Sequence, residues 1–252
     1  MKRATRNLCS GPPSGCRVIA SGLCILALST FTGVVGCGQR REPFPVSAQE
    51  TVVLLHGLGR TSASMSELHR RLEQGGYRVK DWAYRSTRGH IEDHGQRLHD
   101  SLVTMDSDPS VSKIHIVGHS LGGIVARYAL MVEVPEKMGR VVMLAPPNRG
   151  SAAARKLAPL LGKVIKPLEQ LSDDPTSDVN QLAVPVHVEF GVIAAAADGK
   201  VRPEDTHLPG EADHLIVPGF HTFIMNRDDV GDAVLAFLER GRFRKPTAEK
   251  QP

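Results

Sequence analysis

The sequence predicts one α/β domain built on a mostly parallel, doubly wound sheet with helices on both faces. Two observations carry that reading. Short β-branched runs alternate with stretches of helical apolar spacing along the body of the chain, the pattern of strands joined by crossover helices. One junction is very tight: Ile114-His115-Ile116-Val117 passes through Gly118-His119-Ser120-Leu121-Gly122 straight into a helical face of Leu121, Ile124, Val125, Tyr128, Ala129 and Val132. The length of 252 residues, 41% of them hydrophobic, suits a single domain with a substantial core.

Residues 1–36 read as a leader. A basic segment to Arg17 is followed by the apolar or small run Val18 to Val35, the layout of a signal peptide. The run ends in Val34-Val35-Gly36-Cys37, which resembles the lipobox of bacterial lipoprotein precursors. Cys37 is then expected to become the mature N-terminus and to carry lipid, anchoring the protein to a membrane of the bacterial cell envelope. The rival readings are a secreted or periplasmic protein with a conventional cleavage site, and an uncleaved anchor helix. Residues 37–50, with Arg40, Arg41, Pro43 and Pro45, are expected to form a tether. The leader also accounts for the charge. It holds Lys2, Arg3, Arg6 and Arg17 and no acid, so the 31 basic residues fall to 27 beyond it, against 27 acidic ones. A neutral body gives no footprint for nucleic acid. Cys9, Cys16, Cys24 and Cys37 are the four cysteines, so the folded body holds no internal disulfide.

The domain is expected over 51–240. Thr51 to Leu55 is a strand leading into His56-Gly57-Leu58-Gly59-Arg60. Ser64-Met65-Ser66-Glu67 has the form of a capping box before the stripe Met65, Leu68 and Leu72, and Gly75-Gly76 ends that helix. Tyr77 to Ala83 reads as a strand and Ile91 to Met105 as an amphipathic helix, with His90, His94 and His99 on a solvated face rather than in a metal site. Strands are expected at 140–144, 186–193 and 215–217, and a last helix over about Asp228 to Glu239, with residues 241–252 as a tail. Residues 151–182 carry Leu157, Leu160, Leu161, Val164, Ile165, Leu168 and Leu171. Pro159 and Pro167 predict short helical pieces there, serving either as an apolar lid or as a crossover that covers the sheet.

The strand, G-x-S-x-G turn and helix at 114–132 have the context of a nucleophile elbow, in which a strained turn exposes a serine hydroxyl at a helix N-terminus. Such a serine needs a histidine to take its proton and a carboxylate to orient the histidine, in the chain order Ser, Asp/Glu, His. Of the later histidines, His187 and His214 fall in predicted strands and His207 in a polar loop. His221 follows the last strand through Pro218-Gly219-Phe220, the position expected of the base. Asp198, after strand 186–193, is the expected acid, with Asp205 and Asp213 as rivals; Asp213 lies toward the wrong end of the sheet. Asp173, Asp174 and Asp178 are expected to be solvated.

With these pieces in place, the chain resembles the α/β-hydrolase superfamily, specifically bacterial lipase- and esterase-like members. The matching segments are 52–60, Tyr84 to Arg88, Gly118 to Gly123, Ala145 to Ser151, Asp198 to Val201 and Ala212 to Met225. The resemblance implies Ser120 as nucleophile, Asp198 as acid and His221 as base, with the backbone N–H groups of Leu58 and Leu121 as oxyanion donors. It implies no cofactor and no metal. The substrate expected is a small-molecule or lipid ester, cleaved through an acyl-enzyme. The alternatives are acyl transfer or thioester or amide cleavage by the same groups, and an idle fold serving as an envelope binding protein. The oligomeric state stays open.

Overall fold

The computed structural model describes residues 50–243; the expected leader, Cys37, the tether up to residue 49 and the tail from 244 lie outside the described residues. Six strands form one sheet: β1 (Glu50–Leu55), β2 (Arg78–Asp81), β3 (Lys113–His119), β4 (Met138–Leu144), β5 (Phe190–Ala195) and β6 (Asp213–Val217). Their order is β2-β1-β3-β4-β5-β6, and every neighbouring pair is parallel. The helices are α1 (Ser66–Gln74), α2 (Ile91–Asp106), α3 (Leu121–Val132), α4 (Ala152–Leu161), α5 (Pro167–Gln170), α6 (Asp178–Gln181) and α7 (Asp228–Arg240). None of the described helices is long and apolar enough to cross a membrane.

Both faces of the sheet are covered, which is why its inner strands are continuously apolar rather than alternating. Val53, Leu55, Ile114, Ile116, Val141 and Met143 pack on one side with α2 and α3. Their neighbours Val52, Leu54, Val117, Val142 and Leu144 pack on the other with α1 and α7. Each such side chain contributes about 1.5–3 kcal/mol of burial. Helix α3 is buried nearly all round, including Arg127 at 2% exposure. That cation is compensated by the carbonyl of Leu182 at 2.5 Å and Asn148 Oδ1 at 3.1 Å, and burial lowers its pKa to about 10.

The first strand, β1, lies one place in from the edge; the chain steps out to the edge strand β2 and returns to β3 on the other side of β1. The reversal sits between β1 and β3, where Leu55 pairs with Gly118. Loops leaving those two strands open a crevice at their carboxyl ends, where sites form in such sheets.

Four local expectations are corrected. The strand foreseen at 77–83 is only Arg78–Asp81, because it is the edge strand; Trp82 still donates its N–H to the Leu54 carbonyl at 2.9 Å. The strand foreseen at 186–193 begins at Phe190. His187 takes φ 65°, which no strand tolerates, and Val186 is 69% exposed, so His187 is a turn residue. The capping box is not formed: residues 62–65 make a 3₁₀ turn, Ser64 Oγ donates to the Thr61 carbonyl at 2.7 Å, and α1 starts at Ser66. His94 and His99 are buried, not solvated. A Cβ on Gly95 would lie 2.4 Å from Tyr128 Cδ1, so the glycine lets α2 settle directly on α3 and takes its neighbours out of water. His94 Nε2 donates to the Arg88 carbonyl at 2.7 Å.

Residues 151–182 fold as the short pieces α4, α5 and α6. Pro159 stands inside α4, two residues before its end, and Pro167 opens α5. Gln170 ties this segment down: its Oε1 accepts from the Ile91 N–H at 2.8 Å and its Nε2 donates to Glu92 and Asp178. Leu168, Leu171 and Val179 face the core, whereas Leu160 and Val164 are 79% and 75% exposed.

Candidate active site

Ser120 sits between β3 and α3 at φ 52° and ψ −120°, a strained conformation for a residue with a side chain. The surroundings enforce it. Its N–H donates to the Leu144 carbonyl at 2.8 Å. A Cβ on Gly118 would lie 2.6 Å from the Gly123 nitrogen, and one on Gly122 would lie 2.6 Å from the Leu55 carbonyl oxygen. Only glycine at both positions lets the turn close this tightly. The positive end of the α3 dipole begins at Leu121, next to the serine hydroxyl.

His221 begins a 3₁₀ turn, His221–Asn226, after β6 and Gly219 (φ 128°). Its Nε2 lies 3.0 Å from Ser120 Oγ and its Nδ1 lies 2.7 Å from Asp198 Oδ2. Asp198 follows β5 and its side chain is 1% exposed. Its other oxygen accepts from the N–H groups of Lys200 at 2.8 Å and Val201 at 2.9 Å. Burial alone would raise the Asp198 pKa. The hydrogen bond and charge of His221, together with the two N–H groups, outweigh it, so the net shift is downward. The two loops are stitched together at their bases, where Ala196 and Ala197 donate N–H groups to the carbonyls of Val217 at 2.8 Å and Gly219 at 3.0 Å.

The rival acids and bases are occupied elsewhere. Asp213 opens β6 at the far end of the sheet, where its Oδ2 accepts from the Phe243 N–H at 2.8 Å. Asp205 holds Arg202 at 2.7 and 3.0 Å. Asp173 pairs with Arg155 at 2.6 Å and Asp178 accepts from Gln170, so neither is merely solvated. His56 is buried, and Tyr84 stacks on it at 4.4 Å and donates its hydroxyl to the His56 carbonyl at 2.7 Å.

Two features carried no mark in the sequence. His119, within the elbow itself, is buried and donates Nε2–H to the His221 carbonyl at 3.0 Å. His207, Glu211 and His214 bring three metal-type ligand atoms within 4.8 Å of one another. Existing contacts occupy them: His207 Nδ1 donates to Glu211 at 2.5 Å, and His214 Nε2 bonds Thr206 Oγ1 at 2.9 Å.

Above Ser120 and His221 lies a cavity of about 190 Å³, walled by Leu58 from the loop after β1 and by Ala154, Leu157, Leu168 and Leu171 from the 151–182 segment. It is largely apolar and has the serine hydroxyl in its floor. A proton can pass from that hydroxyl to the imidazole beside it, and a carbonyl seated over the serine would meet the helix N-terminus.

The comparisons with known proteins agree with this architecture. A family model described as serine aminopeptidase, S33 (Hydrolase_4) matches residues 46–183, more than half of the chain. A 2-hydroxy-6-oxononadienedioate/2-hydroxy-6-oxononatrienedioate hydrolase of Pseudomonas putida is 29% identical over 210 residues, covering 68% of this chain and 71% of the relative. Its counterpart in Escherichia coli K12 is 28% identical over 163 residues, 60% of this chain; the match spans about half (51%) of that relative's length. Among solved structures, the mature lipase BlEst2 of Bacillus licheniformis superposes with a TM-score of 0.60 at 16% identity, covering 79% of this chain and 94% of the lipase. The fold is therefore the α/β-hydrolase fold, and the chain belongs to the Hydrolase_4 family.

Proposed function

We propose that this protein hydrolyses carboxylic esters, with Ser120 as nucleophile, His221 as general base and acid, and Asp198 as the carboxylate that orients His221. The observation that carries the reading is the unbroken relay from Ser120 Oγ through His221 to Asp198, at 3.0 and 2.7 Å, in the floor of an apolar cavity. Ser120 Oγ adds to the ester carbonyl carbon while its proton passes to His221 Nε2. The backbone N–H groups of Leu58 and Leu121 are the proposed donors to the oxyanion. The tetrahedral species collapses, and the alkoxide leaves with the proton from His221. A water molecule then gives its proton to His221, adds to the acyl carbon, and releases the acid from Ser120.

The cavity supports esters over larger or more polar substrates, since its walls offer apolar surface to an acyl chain and few groups to bind a peptide backbone. The fold shared with a lipase supports it further. Turnover of p-nitrophenyl esters of graded chain length tests the proposal. Hydrolysis that falls steeply once the chain outgrows the cavity, and that disappears in Ser120→Ala, supports it. Equal inactivity of the wild type and Ser120→Ala on every ester contradicts it. Lipid anchorage at Cys37 belongs to the same proposal, and supports a substrate met at a membrane; Cys37→Ala should then accumulate the longer precursor on a gel.

A further inference from the structure

The cavity carries a charge pattern that the relay does not use. Its lining is mostly apolar, but it includes two cations, Arg60 and Lys200, and no carboxylate. Asp198 lies behind His221, committed to that ring and to two N–H groups. Many of the domain's arginines pair with acids, Arg71 with Asp228 and Asp232, Arg140 with Glu189, Arg155 with Asp173, Arg227 with Asp229; what sets Arg60 apart from the others is that it lines the cavity with Ser120. Arg60 has no carboxylate partner among the described residues. Its guanidinium carbon instead stands 5.9 Å from the ring centroid of Phe223, which is itself 61% exposed. A cation resting on an aromatic face keeps its N–H fork available for a planar or tetrahedral anion. Lys200, also in the lining, is held by its main chain, the N–H on Asp198 at 2.8 Å and the carbonyl on Ser151 Oγ at 2.6 Å. Its side chain is exposed and likewise without a carboxylate partner among the described residues.

In a body with equal numbers of acidic and basic residues, two cations lining the cavity that contains Ser120, with no carboxylate in that lining, concentrate anions there. We propose that Arg60 and Lys200 form an anion subsite, and that the ester cleaved here carries a carboxylate or phosphate group near the ester linkage. This rests on the hydrolytic reading above. The apolar walls take the hydrocarbon part, the two cations take the charged part, and the reacting carbonyl lies between them over Ser120. The anionic group is a bystander in the chemistry; it orients the substrate and steers its approach.

The experiment compares matched neutral and anionic esters on the purified protein. One arm sets p-nitrophenyl hexanoate against the mono-p-nitrophenyl ester of adipic acid, which puts a carboxylate on the acyl side. The other sets butyrylglycerol against its glycerol phosphate counterpart, which puts a phosphate on the alcohol side. The expected result is a kcat/KM at least about tenfold higher for the anionic member of one pair at low salt, falling toward parity as ionic strength rises. Arg60→Gln and Lys200→Gln should each reduce that ratio by roughly fivefold to tenfold. Ratios near one in both arms, or a ratio unmoved by both substitutions, overturn the subsite while neutral esters continue to be cleaved. No turnover of any ester, with Ser120 unlabelled by a fluorophosphonate, overturns the hydrolytic reading and the subsite with it.

Discussion

His119 donates a hydrogen bond from Nε2 to the main-chain carbonyl of His221, 102 residues away, at 3.0 Å. The residue before the proposed nucleophile thus holds the backbone of the proposed base. The loop it holds needs holding: Gly219 has φ 128° and Phe220 is 68% exposed. Replacing His119 by Phe keeps the bulk and removes the donor. We expect kcat to fall roughly 10- to 100-fold with KM within about twofold, because misplacing a base costs rate rather than binding. His119→Gln keeps an N–H at a similar reach and should recover most of the loss. Equal rates for the two variants would show that the contact positions nothing.

Asp198 and Asp213 separate the two ends of the sheet. Asp198→Asn should lower kcat by about 10⁴-fold, because the amide cannot hold the imidazole in the tautomer that accepts the serine proton. Asp213→Asn should leave kcat within about twofold, since that side chain bonds the Phe243 N–H at the opposite end of the strands. Esterase kinetics on both variants decide the matter, and the reverse ranking would remove Asp198 from the relay.

Two buried histidines set an acid limit to stability. Burial is the main cause that lowers the pKa of His119 to about 3, with the nearby His221 adding to it. Burial likewise lowers His115 to about 4, against the opposing pull of Glu50. The unfolded chain protonates these rings near 6.5, so it binds more protons than the native state below that pH, and stability falls as pH drops from 6.5 toward 4 and 3. Asp198 acts in the same direction. Its folded pKa is depressed, so its contribution is complete above 3.8 and is lost as pH falls through the folded value. Tm measured against pH should therefore slope downward below 6.5. His119→Gln should flatten that slope; an unchanged slope would contradict the assignment.

The elbow tolerates no added methyl. Gly122→Ala would drive a Cβ to 2.6 Å from the Leu55 carbonyl oxygen, a main-chain atom of β1 that cannot move aside cheaply. We expect a loss of about 1–3 kcal/mol in stability together with loss of esterase turnover. Gly199→Ala is the control, because a Cβ there meets nothing within 4 Å. Thermal unfolding of the two variants compares them directly, and equal Tm values would show that the turn is looser than its geometry.

The central strands and the elbow were readable in the sequence because local pattern and tertiary need coincide there. Thr51 to Leu55, Ile114 to Val117 and Val141 to Leu144 are buried on both faces and therefore almost wholly apolar, with Thr51 and His115 the exceptions. The strand ends before Ser120, Asp198 and His221 followed from that layout and from chain order. What escaped the sequence was decided by distant partners. His94 and His99 looked like a polar helix face until Gly95 let Tyr128 press against it. His187 lay in an apolar run that turns instead of extending. His119 read as the variable position of G-x-S-x-G, and nothing nearby in the chain named the carbonyl it holds.

The most direct test of the account is stoichiometric labelling by a fluorophosphonate, followed by peptide mass spectrometry. The account predicts one adduct per chain, on Ser120, absent in Ser120→Ala and strongly slowed in His221→Ala while both variants keep the wild-type Tm within a few degrees. A wild-type protein that stays unlabelled, or that carries its adduct on another residue, would contradict it.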